Sequence, residues 1–157
     1  MLSKDGVPFW GLHGAAGLLL RAPRPGGGAA VLLQHRAPWS HQGGTWSLPG
    51  GARDSHETVE QAAVREANEE AGLTADQLVV RGTVVTATAP GGQWTYTTVI
   101  ADAPGPLRTV PNRESSELRW VAEEEVADLP LHPGFAASWE RLRRESASLP
   151  FELTREP

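Results

Sequence analysis

An α/β domain is what this sequence predicts, and three local signals carry the prediction. A helix-forming stretch over 59–71 is bounded by a capping signal at Thr58 and a glycine at Gly72. Two β-rich runs, 78–88 and 93–101, are separated by Ala89-Pro90-Gly91-Gly92 and read as a hairpin. An apolar run over 29–36 (AAVLLQHR) has the length of a buried strand.

Taken in order, residues 10–20 read as the first strand. The loop 21–28 (RAPRPGGG) ends it, because two prolines and three glycines oppose regular structure. The strand 29–36 follows, then a polar connection over 37–45 and a short extended piece, 46–49, running into Gly50-Gly51. In the helix 59–71, Thr58 and Gln61 have the spacing of a capping box, and Leu73 is placed to fold back over the last turn. After the hairpin, 103–112 is a loop, 117–121 (ELRWV) a strand and 123–128 a short helical turn. The last helix, 135–146, carries Phe135, Trp139 and Leu142 as one apolar stripe. With no repeat and no linker, the expectation is a single domain over 1–148 and a loosely held tail over 149–157.

Composition narrows the function. A chain of 157 residues with 39% hydrophobic and 21% charged residues is an ordinary globular domain. Zero cysteines exclude disulfides, zinc–thiolate sites and thiol nucleophiles, and a reducing compartment, the cytoplasm, is the expected location. A net charge of −5 argues against binding long nucleic acids, which depends on basic residues to neutralise phosphates. The apolar run 14–20 is too short to cross a bilayer, and residues 1–6 lack a basic start, so neither a membrane span nor a secretory leader is expected.

The chemistry concentrates in 51–73, GARDSHETVEQAAVREANEEAGL. Glu66, Glu69 and Glu70 stand at i, i+3 and i+4 of the helix, which places three carboxylates on one face. The like charges at i,i+4 destabilise a bare helix by roughly 0.2–0.5 kcal/mol, and Arg65 cannot neutralise all three acids. A solvated helix face is the bland alternative; a bound cation is the functional one. Oxygen-only ligands and the lack of Cys would make that cation Mg²⁺ (or Mn²⁺), not zinc. Beside the acids runs a stripe of Ala63, Val64, Ala67 and Ala71, small enough to seat the helix close to a sheet. Pro49-Gly50-Gly51 offers backbone that can approach a ligand closely.

The whole segment resembles the Nudix box, G-x5-E-x7-R-E-U-x-E-E-x-G-U, with U apolar. Gly51, Glu57, Arg65, Glu66, Glu69, Glu70 and Gly72 fill its seven fixed positions, and Ala67 and Leu73 fill the apolar ones. At average residue usage, a chance match is on the order of 10⁻⁸ to 10⁻⁹ per starting position. The flanks LLQHRAPW, GTWSLPGG and RESSELRWV resemble the family's surrounding strands. The resemblance implies a Nudix fold, a mixed β-sheet sandwiched between α-helices (α/β/α), and a metal-dependent hydrolase of diphosphate linkages.

Site roles follow from the resemblance. Glu66, Glu69 and Glu70 are the expected metal ligands, with the Gly50 carbonyl a further one, and Glu57 and Arg65 form a supporting salt bridge. Glu66 is the first choice for the base that takes a proton from water, with Glu114 and Glu117 as alternatives. Arg36 matches a position that holds a substrate phosphate, and His132 one that reads a base or steadies a turn. Trp39 and Trp10 suit stacking on a base, whereas Trp46, Trp94, Trp120 and Trp139 suit the core. The MutT-like approach GTWSLPGG favours a (deoxy)nucleoside triphosphate, oxidised or not, split to monophosphate and pyrophosphate. ADP-ribose or a nucleotide sugar is the second choice, and a non-catalytic nucleotide-binding module the third. The partner is a small nucleotide; family members are often homodimers, and nothing in the sequence decides that point.

Overall fold

The computed structural model describes residues 13–36, 43–92, 94–111 and 115–151, with only the backbone at 115 and 116. Its elements are β1 (Ala15–Pro23), β2 (Ala29–Arg36), β3 (Trp46–Ser47), β4 (Gly50–Ala52), α1 (Val59–Ala71), β5 (Val79–Thr88), β6 (Thr95–Asp102), β7 (Ser115–Ala122) and α2 (Pro133–Ala147). Short 3₁₀ helices, Ala75–Gln77 and Glu123–Asp128, fill two connections.

The strands form a mixed sheet in the order β3-β2-β1-β6-β5, with β4 paired to β1 and β7 to β2. Among the named strands, β1 and β6 run parallel, in register from Ala15 opposite Tyr96 to Arg21 opposite Asp102, and the other pairings are antiparallel. Side chains alternate across the sheet, so each strand feeds both layers. Ala16, Leu18 and Leu20 of β1 meet Ala62, Ala63, Ala67 and Ala71 of α1 on one face. Leu19 of β1 and Ile100 of β6 meet Phe135, Trp139 and Leu142 of α2 on the other. The three layers are α/β/α, as expected. Among the described residues, no helix is long and apolar enough to cross a membrane.

Where local chemistry is strong, sequence and structure coincide. Thr58 Oγ1 accepts the Gln61 N–H at 3.1 Å, and Gln61 Oε1 accepts the Thr58 N–H at 3.0 Å, closing the capping box. Gly72 ends α1 in the left-handed region, φ 74°. Leu73 is fully buried beyond it.

Three expectations need correction. The buried helix stripe uses Ala62 rather than Val64, which is half-buried. The first strand does not stop at residue 20. It runs to Pro23 and carries Arg21 into the interior, 5% exposed. Arg21 Nε and Nη2 reach Asp102 Oδ1 and Oδ2 at 2.7 and 2.9 Å, and Arg81 Nη1 reaches Asp102 Oδ2 at 2.7 Å.

The same guanidinium corrects the third expectation, a loose tail from residue 149. Arg21 Nη1 donates to the Ser146 carbonyl (2.7 Å) and Nη2 to the Leu149 carbonyl (2.6 Å). Arg81 donates to the Pro150 carbonyl at 3.1 Å, and the Phe151 ring lies 4.7 Å from the Arg21 guanidinium carbon. A buried cation is tolerated here because four of its five N–H groups meet a carboxylate or carbonyl oxygen. Residues 149–151 are therefore docked.

Candidate active site

The segment that matches the box folds as one unit around Arg65. Its Nε and Nη2 grip Glu57 Oε2 and Oε1 at 2.6 and 2.9 Å, while Nη2 also donates to the Ala52 carbonyl at 3.0 Å. One planar fork thus ties β4, the loop before α1 and the helix together. The Arg65 hydrogen bond, reinforced by the Asp54 N–H, holds the Glu57 carboxyl well below its ordinary 4.5, at about 2.

That depression predicts a pH effect. Because Glu57 binds its proton more weakly folded than unfolded, its stabilisation is complete above about pH 4.5 and is lost as pH falls toward 2. Denaturant titrations from neutral pH into this range should show wild type losing more stability than Glu57→Gln. Parallel curves for the two proteins would refute the pairing.

The acids divide by exposure. Glu70, only 9% exposed, accepts the Gly50 N–H on Oε1 at 3.0 Å. Glu66 packs against Gly51 so closely that a Cβ there would lie 2.6 Å from its Oε2. Glu69 is more open, its side chain 54% exposed. Arg65 Nη1 draws on both Glu66 (3.1 Å) and Glu69 (3.4 Å). Two carboxylates therefore flank the Gly50-Gly51 strand, and the third lies outward on the same helix. Among the described residues, no three carboxylate or imidazole side chains are gathered around one point. The donor chemistry, carboxylate oxygens and bare glycine backbone without sulfur, fits a hard divalent cation.

Gly50-Gly51 also shows why glycine is required. The room left by the missing side chains is filled by the protein itself: the Glu66 carboxylate at Gly51, and the Ala16 carbonyl and Tyr96 hydroxyl at Gly50.

On the α2 face of the sheet, a cavity of about 320 Å³ opens beside Gly50. Arg36 and His132 line it, together with Trp94, Tyr96 and Phe135. His132 caps α2: its Nδ1 accepts the Gly134 N–H at 3.0 Å. Its backbone is fixed by Trp46, whose N–H donates to the Pro130 carbonyl (2.9 Å) and whose carbonyl accepts the His132 N–H (2.8 Å). His132 thus both caps α2 and lines the cavity.

The other expected positions fall elsewhere. Trp46 and Trp139 are buried, as expected, and half-buried Trp120 packs against the core with Nε1 on the Leu107 carbonyl at 2.9 Å. Trp94, expected in the core, is half-buried in the cavity wall. Glu117 is exposed and paired to Arg119 at 3.1 Å. By strand alternation it lies on the same face of β7 as Val121, opposite to Leu118 and Trp120, which pack toward α1. Trp10, Trp39 and Glu114 lie outside the described residues.

Tyr96 is the cavity residue that sequence reasoning missed. Burial, then the Glu70 and Glu66 carboxylates, push its phenol above the ordinary value, with Arg36 opposing. The hydroxyl is therefore protonated, and a donor, at physiological pH. No motif marks it; only its place on β6, across β1 from β4, brings it to the acids.

An α/β/α sheet carrying a glycine-backed acidic helix beside an aromatic cavity defines the class. The family model described as NUDIX domain matches residues 11–142, and the chain belongs to the Nudix family, enzymes that hydrolyse diphosphate linkages with a divalent metal. Among its relatives is the Mycobacterium tuberculosis protein named "Putative 8-oxo-dGTP diphosphatase 3", 72% identical over 153 residues, covering 96% of this chain and 70% of that one. A Bifidobacterium longum nucleoside triphosphate pyrophosphatase/Nudix hydrolase fusion protein is 39% identical over 87% of this chain and 29% of its own length. The crystal structure of a Nudix hydrolase from M. smegmatis, RenU, superposes with a TM-score of 0.92 at 74% identity, covering 98% of this chain and 97% of that one.

Proposed function

We propose that this enzyme hydrolyses (deoxy)nucleoside triphosphates, the oxidised purine 8-oxo-dGTP foremost, to the monophosphate and pyrophosphate with Mg²⁺. One observation carries the reading: the cavity lined by Arg36, His132, Trp94 and Phe135 opens beside Gly50, whose amide is bonded to Glu70. An aromatic chamber suits a base, and the glycine edge suits phosphates. The name borne by the 72% identical relative supports the same substrate.

Glu66, Glu69 and Glu70 would hold the cation with the Gly50 carbonyl, Glu69 turning from Arg65 to do so. Bound there, a divalent ion neutralises phosphate charge and lowers the pKa of water. Water adds to one phosphorus of the linkage, the bridging P–O bond breaks, and its electron pair leaves with the departing phosphate. Glu66 takes the proton, because it lies against the Gly50-Gly51 edge, whereas Glu117 is exposed and paired to Arg119. Glu57 and Arg65 hold the acids in place without touching substrate.

The deciding measurement is a hydrolysis screen with Mg²⁺ across nucleoside triphosphates, oxidised deoxynucleoside triphosphates, ADP-ribose and nucleotide sugars. Pyrophosphate release with the highest kcat/KM on 8-oxo-dGTP is expected. Preference for ADP-ribose or a nucleotide sugar would overturn the substrate assignment. Arg36→Ala should raise KM by about 10- to 100-fold with kcat little changed, as for loss of one charge-assisted phosphate contact. An unchanged KM removes Arg36 from the phosphate site.

A further inference from the structure

We propose that Tyr96 positions the substrate: its hydroxyl, seated in a notch between Gly17 and Gly50, donates a hydrogen bond to the phosphate nearest the nucleoside. The proposal rests on the nucleoside triphosphate reading above and adds a residue to it.

The notch is a product of three adjacent strands. Tyr96 on β6 stands opposite Ala15 of β1, and Gly17 of β1 stands opposite Gly50 of β4. The tyrosine ring crosses β1 diagonally, and its Oη arrives where both glycines lack a side chain. A methyl group on Gly17 would overlap the hydroxyl before any other atom, and one on Gly50 would lie 2.9 Å from it. Gly50 also abuts the Ala16 carbonyl, at 2.6 Å from a built Cβ, so β1–β4 packing shares the demand there. At Gly17 the nearest atoms all belong to Tyr96.

A phenylalanine would fill the same space across β1 without needing room for an oxygen. The hydroxyl therefore calls for a reason of its own. Tyr96 is half-buried and lines the cavity, and its hydroxyl has no hydrogen-bond partner among the described residues. An acceptor supplied by a ligand in that cavity gives it a partner. Tyr96 and Gly50 line the same cavity wall, with the aromatic end at Trp94 and Phe135 and the acidic edge beyond Gly50. A nucleotide with its base among the aromatics and its reacting linkage at the acids passes the hydroxyl with its first phosphate.

The test compares wild type with Tyr96→Phe in Mg²⁺, using a triphosphate whose α–β bridge is a methylene and the matching nucleoside as inhibitors. The expected result is an inhibition constant about tenfold weaker for the triphosphate analogue, none for the nucleoside, and an unchanged melting temperature. kcat/KM for the hydrolysable triphosphate should fall by at least the same factor. Equal analogue affinity in both proteins overturns the proposal, and equal weakening of both inhibitors assigns Tyr96 to ring packing, which also overturns it. Wild type that hydrolyses no nucleoside triphosphate sinks the substrate reading and this one with it. Wild-type turnover matched by Tyr96→Phe sinks this one alone.

Discussion

Replacing Glu70 by Gln is expected to lower turnover by about 10²- to 10³-fold while leaving the fold in place. The amide oxygen of Gln can still accept the Gly50 N–H that Glu70 Oε1 accepts at 3.0 Å, so the strand–helix junction survives. What disappears is a full negative charge in a site only 9% exposed, where charge is poorly replaced by water. Glu69→Gln should produce a loss of the same order with still less structural consequence, since its side chain is 54% exposed and its Arg65 contact is long, at 3.4 Å. Glu117→Gln, by contrast, should leave turnover within about twofold, because the residue is exposed and paired to Arg119. Steady-state kinetics with pyrophosphate detection, with circular dichroism on each variant, make the comparison. Near-normal metal-dependent rates in both Glu69 and Glu70 variants would defeat the ligand assignment; a collapse confined to Glu117→Gln would move the base to β7.

Asp102→Ala should be the most damaging substitution for stability, costing about 3–5 kcal/mol, or on the order of 10 °C in melting temperature. Asp102 is the shared anion of two arginines, and removing it leaves Arg21, 5% exposed, as a buried cation without a counter-charge. The cost comes from that stranded charge rather than from the net worth of the pair. Asp102→Asn keeps shape and one acceptor and should fall between. Arg24→Ala is the control: its partner Glu124 is solvent-exposed, and the melting temperature should not move measurably. If Asp102→Ala melts within about 2 °C of wild type, the buried network contributes little and the docked tail is held by other forces.

The parts of this molecule that could be read in advance are those whose causes lie within a few residues. Thr58 and Gln61 announce α1 because each caps the other, and Gly72 ends it because only its left-handed backbone fits. The strand over Ala29–Arg36 is bounded in sequence by a glycine run on one side and a polar stretch on the other. The acidic face was legible because helical spacing is local arithmetic. Arg21 was not. An arginine before Pro and Gly reads as the start of a loop, and its reason for being interior is Asp102, eighty-one residues on. Trp94 and Tyr96 escaped for a related reason. Whether a strand residue faces a core or a cavity depends on the layer above it, here the start of α2, and no local pattern encodes that. Val64 and Ala62 exchanged places because both are apolar neighbours at the margin of one helical face, which a few tens of degrees of rotation decides.

The Arg21 clasp also sets an order of events during synthesis. β1 leaves the ribosome early, yet its guanidinium finds acceptors only at residues 102, 146 and 149, and its parallel neighbour β6 only after some eighty residues more. Hairpins such as β5–β6 can zip as they emerge, but the middle of the sheet must wait for long-range closure. Nearly the whole of the stretch from 13 to 151 must therefore be outside the exit tunnel before the centre can dry, and until then β1 is a greasy segment that chaperones would see.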